Sequence, residues 1–440
     1  MQTYRIVTLG CKVNQAESEA LGQALQGAGR QPASDREPAD LCVVNTCAVT
    51  QRAAMQSRQA LRRVIHENPG ACVVATGCCA QTDPDALAAI AGLDHIVGRA
   101  GKAELAELAC SGRLEKCGRP RRMLWPPAGA ETAFAAAPPS LSGSRTRPFL
   151  KIQDGCNAFC AYCIVPYARG RSRSSEPQAV VAGVERLAAQ GFHEVVLTGI
   201  HIGLYGRDLN PRSSLLELLQ RLQTLQTPVR VRLSSIEPLE LSDEIISLAA
   251  GSDRFCRHFH IPLQSGDAEI LKRMRRPYSP EAFGTLVRKV RLLLPDAAIG
   301  ADVLVGFPGE SETAFKNTCR LIEALPLTYL HVFPFSARPG TAAHGFAGKV
   351  PPERIKQRCG RLRQIGSRKR HGFHSSVVGR AVQVLTESRR DPKTGLLKGV
   401  SSNYLPVLFE GGDALMNRLV VVRITKADAV RLIGHLVATP

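Results

Sequence analysis

The chain has 440 residues, 44% of them hydrophobic, a length that favours two to four domains over a single one. Its 57 Lys and Arg residues outnumber its 38 Asp and Glu residues. The formal net charge of +19 suits RNA or DNA as a partner, and the alternative is a basic protein whose charge serves only its solubility. No apolar run approaches the roughly 18 to 20 residues of a membrane span, and Arg5 interrupts the short apolar start, so we expect a cytoplasmic protein without a membrane anchor or secretory signal.

The first 125 residues predict a small parallel α/β domain. Strand-like runs cover residues 4–9, 41–44 and 71–76. The helical pattern after the first run covers 16–28, the one after the second run ends at residue 67, and the one after the third run begins near residue 83. A cysteine follows each strand, namely Cys11, Cys47 and Cys78. Because ligands of parallel sheets gather beyond the carboxyl ends of the strands, these three thiols could meet at one point.

Residues 126–147 are rich in Ala, Pro, Ser and Gly, and we expect them to be a linker. Beyond it, apolar runs alternate with amphipathic helical segments, which predicts a full or partial (β/α) barrel over residues 148–374 with its chemistry at the strands' carboxyl ends. Polar or small residues stand at those ends, including Thr198, Gly199, Ser234 and Gln264. The predicted strands are 149–153, 194–198, 230–234, 258–263, 298–306 and 329–335.

Residues 375–440 predict a small β-barrel from short runs at 380–387, 399–409 and 418–424. The preceding segment, 352–371, is strongly basic. It could be a solvated helix face or could hold RNA phosphates.

The 14 cysteines of a protein in a reducing compartment favour metal binding over disulfides. Cys156, Cys160 and Cys163 have the spacing Cys-x3-Cys-x2-Cys. Three thiolates on a cubane of four irons leave one iron free for a substrate or cofactor. A zinc site is the alternative, although the neighbouring sequence supplies no fourth Cys or His.

The sequence around these cysteines resembles the radical S-adenosylmethionine enzymes, and the likeness extends over nearly the whole chain to their methylthiotransferase branch. It is carried by GC at 10–11, NTC at 45–47, GC at 77–78, VPYARG at 165–170, SSIEP at 234–238, HIPLQSG at 260–266, DVLVGFPGE at 302–310 and FSARPGT at 335–341.

The resemblance implies a fold, two clusters and a cofactor. Cys11, Cys47 and Cys78 would hold a second 4Fe-4S cluster beside that of Cys156, Cys160 and Cys163, and S-adenosylmethionine would be the co-substrate. Cys79 stands where relatives commonly have an aromatic residue, but Cys78 directly follows the signature glycine and is the expected ligand. The fold would combine an N-terminal α/β domain, a partial barrel of the radical type and a TRAM-like RNA-binding barrel.

Five further residues are candidates for cofactor contacts. Tyr162 holds the position that lies near the adenine of the cofactor in such enzymes, whereas Gly199, Ser234, Glu237 and Gln264 are chosen from strand ends and matched motifs, and each could instead be structural. His201, His258, His260 and His331 could touch a ligand, but hydrogen-bonded structural histidines are more common. No role is predicted for Cys42, Cys72, Cys110, Cys117, Cys256, Cys319 or Cys359, since free cysteine often packs as a small apolar residue.

The stretches GCKVNQAESE at 10–19 and IVPYARGRSRS at 164–174 look like the branch that methylthiolates carbon 2 of N6-threonylcarbamoyladenosine in the tRNA anticodon loop. The alternatives are isopentenyladenosine in tRNA, a ribosomal protein aspartate, or a non-catalytic iron-sulfur protein that binds RNA. The substrate base would have to be flipped out of its loop to reach a radical buried between two domains. Because aromatic residues are only 5% of the chain, we expect phosphate and shape contacts to outweigh base stacking. The electron donor and the sulfur source are not identifiable from the sequence.

Overall fold

The N-terminal domain is built on one parallel sheet. A computed structural model describes residues 2–34, 37–98, 100–102, 104–123, 134 and 145–438. The sheet has the strand order β2-β1-β3-β4-β5-β6, and β3 is buried along its whole length, as a central parallel strand covered on both faces should be. Its elements are β1 (Thr3–Thr8), α1 (Lys12–Gly27), β2 (Gln31–Pro32), β3 (Leu41–Thr46), α2 (Gln51–Glu67), β4 (Cys72–Gly77), α3 (Cys78–Thr82), α4 (Pro84–Ala88), β5 (His95–Val97), α5 (Leu105–Cys110) and β6 (Arg121–Met123).

The three predicted strand–helix units are confirmed here, with differences at their ends. The helix predicted from residue 16 begins at Lys12, because the first turn buries Val13 and Asn14 and Cys11 takes the extended conformation of an N-cap. The helix predicted from near residue 83 is confirmed as α4, which begins at Pro84, whereas the short α3 before it was not predicted. Strands β2, β5 and β6 were not predicted, because two or three residues are too few to show a period.

The predicted partial barrel is confirmed in the central domain as two three-stranded parallel sheets, β11-β10-β7 and β12-β13-β14, which share one hydrophobic core. An isolated bridge from Val231 to Phe255 connects them. The run predicted at 258–263 stops as a strand at His260, because Pro262 has no N–H to donate and Gln264 takes a φ of +63°.

The central elements mostly alternate between strand and helix, except that β7 is followed by β8 and α10 by α11. They are β7 (Phe149–Lys151), β8 (Gln153–Asp154), α6 (Val165–Arg169), β9 (Arg173–Ser174), α7 (Pro177–Ala189), β10 (Glu194–Thr198), α8 (Leu215–Gln223), β11 (Arg230–Leu233), α9 (Asp243–Ala250), β12 (His258–His260), α10 (Ala268–Arg273), α11 (Pro280–Leu293), β13 (Ala298–Val305), α12 (Glu312–Ala324), β14 (Tyr329–Pro334) and α13 (Pro352–Ser375).

The last segment is a closed five-stranded barrel in the order β15-β16-β17-β19-β18, which confirms the predicted β-barrel. The run predicted at 399–409 is two strands, because Tyr404 in the intervening turn takes a φ of +63°. The last strand, with a mostly exposed sequence, was not predicted. The strands are β15 (Ala381–Thr386), β16 (Leu397–Ser401), β17 (Pro406–Phe409), β18 (Leu419–Ala427) and β19 (Leu432–Ala438).

The terminal barrel docks against the central domain through Arg232. This guanidinium, only 2% exposed, donates hydrogen bonds of 3.0 Å to the carbonyl oxygens of Ser401 and Ser402 and pairs with Glu194 at 2.7 Å. The predicted linker lies almost entirely outside the described residues. Among the helices that are described, none has the length and apolar character needed to cross a bilayer.

Candidate active site

Cys11, Cys47 and Cys78 follow three neighbouring strands, β1, β3 and β4, at the same edge of the N-terminal sheet. Cys11 is exposed, whereas Cys47 and Cys78 are 5% and 6% exposed. Burial is the main cause that raises the pKa of Cys47 to about 11, and the nearby thiols of Cys78 and Cys11 act in the same direction. Cys47 is therefore protonated without metal, so binding a cluster through its thiolate would release a proton.

Two glycines make room for this trio of thiols. A Cβ on Gly10 would lie 2.9 Å from both the Cβ and the Sγ of Cys47, and one on Gly77 would lie 2.5 Å from the carbonyl oxygen of Thr46. Both glycines have positive φ, +99° and +93°, which other residues rarely adopt. The glycine before each of Cys11 and Cys78 is thus needed for the backbone to bring the cysteines together.

Cys78 and Cys79 lie in the same apolar cluster and are 6% and 0% exposed. Arg169 and Cys11 are among the groups close to Cys78, whereas Asp83 and Arg58 lead those close to Cys79. Cys78 therefore stays the predicted third ligand.

Cys156, Cys160 and Cys163 lie on the loop between β8 and α6, and two basic side chains reach their sulfurs. The Nδ1 of His201 is 3.3 Å from the Sγ of Cys156, and the Nη1 of Arg276 donates to the Sγ of Cys160 at 3.2 Å. Burial raises the pKa of Cys163 to about 12. Donors of this kind stabilise thiolates and the negative charge of a bound cluster, so the loop fits the predicted iron-sulfur group.

His201 is held by Glu240, whose two carboxylate oxygens lie 2.9 and 2.8 Å from its Nε2. Burial tends to lower the pKa of His201, but the hydrogen bonds to Cys156 and Glu240 outweigh burial and raise it to about 9. With both nitrogens protonated, the ring can donate to the thiolate and to the carboxylate at the same time.

The five predicted cofactor contacts differ in their surroundings. Glu237 pairs with Arg276, which reaches Cys160, and Tyr162 also lies near Arg276. The hydroxyl of Ser234 is buried without a hydrogen-bond partner among the described residues. A Cβ on Gly199 would lie 2.9 and 3.0 Å from Ile202 and Gln153, and Gln264 is bridged to Val303 of β13.

The histidines on β12 and β14 line the barrel interior. His258 and His260 contact the hydroxyl of Tyr329 at 2.8 and 3.1 Å, as structural histidines do. His260 and His331 also lie 2.8 and 3.3 Å from Asp302. Burial tends to raise the pKa of Asp302, but the two imidazoles outweigh it and hold that pKa well below its usual range.

His260, Asp302 and His331 are also the one group in the described chain whose ligand atoms are close enough to share a single ion, all within 4.8 Å of one another. Neither cysteine trio is spaced this tightly. A zinc ion requires ligands around one centre, whereas each thiolate of a cubane binds its own iron. Within the described residues, neither trio therefore forms a ready site for a single ion.

Arg169 joins the surroundings of the two trios. It follows the Cys163 loop on α6, is 5% exposed, and contacts Glu17 of α1 at 3.0 Å and Asp154 at 2.8 Å. Burial tends to raise the pKa of Glu17, but Arg169, Lys102 and Lys151 hold it well below its usual range. This ion network therefore fixes α1 to the base of the loop that carries Cys156, Cys160 and Cys163.

An apolar contact adds to this connection between the two domains. Ile164 and Ala168 of the central domain pack in the same cluster as Cys78, Cys79 and the other core residues around α3. Since Ile164 directly follows Cys163, the two cysteine trios are attached to one continuous core.

Sequence reasoning missed Arg169, Arg276, Glu240 and Asp302 as parts of the site. Arg169 and Asp302 lie in quoted motifs, VPYARG and DVLVGFPGE, where a charged residue in an otherwise apolar or small context was an available signal. Arg276 and Glu240 lie in ordinary polar contexts and gave none.

Comparison with known proteins gives concordant results for both halves of the site. Residues 3–98 match the profile described as "Uncharacterized protein family UPF0004" and residues 150–322 that of the "Radical SAM superfamily". The chain is 37% identical to the threonylcarbamoyladenosine tRNA methylthiotransferase MtaB of Bacillus subtilis, over 97% of this chain and 94% of that protein. It is 32% identical to the tRNA-2-methylthio-N(6)-dimethylallyladenosine synthase of Pelotomaculum thermopropionicum, over 99% and 98%.

A solved structure supports the fold. The radical S-adenosylmethionine methyltransferase TsrM of Kitasatospora setae superimposes with a TM-score of 0.54 and 19% identity, covering 78% of this chain and 74% of that one. At this identity the likeness concerns the fold alone.

Proposed function

The chain belongs to the radical S-adenosylmethionine methylthiotransferases, and we propose that it methylthiolates carbon 2 of N6-threonylcarbamoyladenosine next to the anticodon of tRNA in the cytoplasm. The proposal also divides the chain into a methylthiotransferase domain at 1–125, a linker at 126–147, the radical domain at 148–374 and a TRAM-like domain at 375–440.

The observation that carries this proposal is the pair of cysteine trios placed on either side of Arg169. Cys11, Cys47 and Cys78 are proposed as ligands of one 4Fe-4S cluster, and Cys156, Cys160 and Cys163 as ligands of the other. When bound, these groups would supply the sulfur to be transferred and the electron that cleaves S-adenosylmethionine. Neither trio has a fourth cysteine in its motif, so each bound cluster would keep one iron without a cysteine ligand from that motif.

The protein's own residues would orient and shield this chemistry. Arg276 and His201 donate toward the Cys160 and Cys156 sulfurs, and hydrogen bonds to cluster sulfurs are a main determinant of reduction potential. Gly199, Ser234, Glu237, Gln264 and Tyr162 are proposed to position the cofactor. Carbon 2 of adenine is too weakly acidic for a side-chain base, so no general base is assigned to the key step.

Two features support threonylcarbamoyladenosine as the substrate. Identity is 34–37% to the MtaB proteins of five organisms and 32–34% to three dimethylallyladenosine enzymes, and the GCKVNQAESE stretch resembles the former branch. A net charge of +19 suits a tRNA partner, and basic side chains of the terminal barrel and of α13 could hold its phosphates. A reductant and a sulfur source are also required.

Nucleoside analysis of tRNA from cells that lack the protein tests this proposal. We expect the methylthio form of threonylcarbamoyladenosine to disappear and to return with the wild-type gene. Loss of methylthio-isopentenyladenosine, or of the modified ribosomal aspartate, would assign the chain to another branch. A non-catalytic iron-sulfur protein would form no deoxyadenosine from S-adenosylmethionine on reduction.

A further inference from the structure

A cavity of about 420 Å³ lies where the N-terminal domain, the partial barrel and the terminal β-barrel meet. Its lining is strongly basic, with six Lys or Arg side chains and one carboxylate, Glu387. Two aromatic rings, Phe149 and Tyr404, also line it. The basic residues are Lys12, Arg145, Arg147, Arg232, Arg389 and Lys398.

Most of these cations already have an acidic partner. Arg145 pairs with Glu19, and Arg232 pairs with Glu194. Arg147 and Lys398 share Glu387 at 3.1 and 3.2 Å. Among the described residues, Lys12 and Arg389 alone on this wall have no carboxylate in contact, so these two are free to bind an added anion.

The two free cations differ in their position relative to the chemistry. Lys12 is the residue next to Cys11, so its backbone is one peptide unit from a proposed cluster ligand. Its side chain faces water within the cavity and lies near Arg232, Arg147 and Asp302. Arg389 is on the terminal barrel and exposed. Because Lys12 is next to a proposed cluster ligand, an anion bound there would belong to the reacting base. An anion bound by Arg389 would belong to the surrounding RNA.

The arrangement of cations is consistent with an anion-binding role for Lys12. Arg147 and Arg232 line the same cavity, so a carboxylate bound at Lys12 would reduce the repulsion among these positive charges.

Resting on the proposed function, we infer that Lys12 binds the threonyl carboxylate of the substrate base and so determines specificity. In adenine, the ring nitrogen N1 is bonded to carbon 2 and to carbon 6, and carbon 6 carries the N6 substituent. A base whose carbon 2 is placed for reaction beside the Cys11 trio therefore has its N6 substituent close by. Threonylcarbamoyladenosine carries a carboxylate on that substituent, whereas dimethylallyladenosine carries only an apolar chain. A lysine is a suitable partner for the former and a poor one for the latter.

The test measures affinity rather than turnover. The reconstituted full-length protein, without reductant, is titrated with an anticodon stem-loop that carries threonylcarbamoyladenosine and with the same RNA carrying plain adenosine, at fixed salt. The preference is the ratio of the two Kd values. For Lys12→Gln we expect this preference to fall by about 10- to 100-fold, the range for a hydrogen bond to a charged group, with little change for the plain RNA.

Two variants complete the design. Lys12→Arg should retain most of the preference, since it keeps the charge, and Arg389→Gln should weaken both RNAs alike and leave the preference unchanged. An equal loss of both affinities in Lys12→Gln would make Lys12 a phosphate contact and overturn the inference, as would an unchanged preference. Iron content checks that each variant is assembled.

The design separates this inference from the proposed function. If wild-type protein forms methylthio-threonylcarbamoyladenosine but Lys12→Gln keeps its preference, only the role of Lys12 is wrong. If wild-type protein forms no such product from the modified RNA, the proposed function itself is wrong.

Discussion

Replacing Arg169 with Gln should loosen the connection between α1 and the loop that carries Cys156, Cys160 and Cys163. The guanidinium is buried and contacts Glu17 at 3.0 Å and Asp154 at 2.8 Å, so its removal leaves two buried carboxylates short of a partner. Breaking a buried ion pair costs about 3 to 5 kcal/mol. Lys151 still lies 3.4 Å from Glu17 and 3.5 Å from Asp154, so we expect a value at the lower end, about 3 kcal/mol.

Amide hydrogen exchange measures this locally, which avoids treating three domains as one two-state unit. Peptides covering residues 12–27 and 154–170 should lose about 100-fold in protection in Arg169→Gln. The control is Arg58→Gln, whose partner Asp83 lies 3.9 Å away and whose side chain is 29% exposed; a partly exposed pair is worth about 1 kcal/mol or less. Equal protection in the two variants would refute the claim that Arg169 holds α1 to the loop.

The remaining predictions concern the thiols, one glycine and pH. Cys160→Ala should abolish the formation of deoxyadenosine from S-adenosylmethionine. Cys11→Ala should lower the iron content from about eight to about four per chain and leave cleavage of S-adenosylmethionine measurable. Cys79→Ala is the control and should keep the iron content of the wild type. Gly77→Ala should lower iron in the same way, because a Cβ would lie 2.5 Å from the Thr46 carbonyl at a φ of +93°; full iron would contradict that reading. In the folded protein the pKa of Glu17 lies below its value of about 4.3 in the unfolded chain. The stability that ionised Glu17 contributes is therefore complete above about pH 4.3 and is lost as the pH falls through the pKa of the folded state. Protection of residues 12–27, corrected for intrinsic exchange, should therefore decline below about pH 4 in wild type and less steeply in Glu17→Gln.

Sequence patterns were sufficient where the controlling interactions are local. The strand predicted at 194–198 is observed as Glu194–Thr198. A short, fully buried run with Val and Leu at its centre and a glycine on either side favours a strand over a helix. The Cys156, Cys160 and Cys163 spacing is visible within eight residues. The contact of Arg169 with Asn14 joins residues 155 positions apart, and no local pattern could reveal it. The short strand β6 likewise forms because β5 offers it a partner, not because of its own sequence.

The placement of α1 explains how substrate reading and sulfur transfer can share one rigid element. Cys11 caps this helix, Lys12 is its first residue, and Glu17 is bonded to Arg169 less than two turns later. At 1.5 Å per residue, Lys12 and Glu17 are about 7.5 Å apart along the helix axis. Because both belong to one rigid helix, the contact of Glu17 with Arg169 also restrains the position of Lys12. A tilt of α1 would move the proposed ligand and the free ammonium together. Variants that loosen Glu17 should therefore lose RNA preference along with protection, whereas Lys12→Gln should lose preference alone.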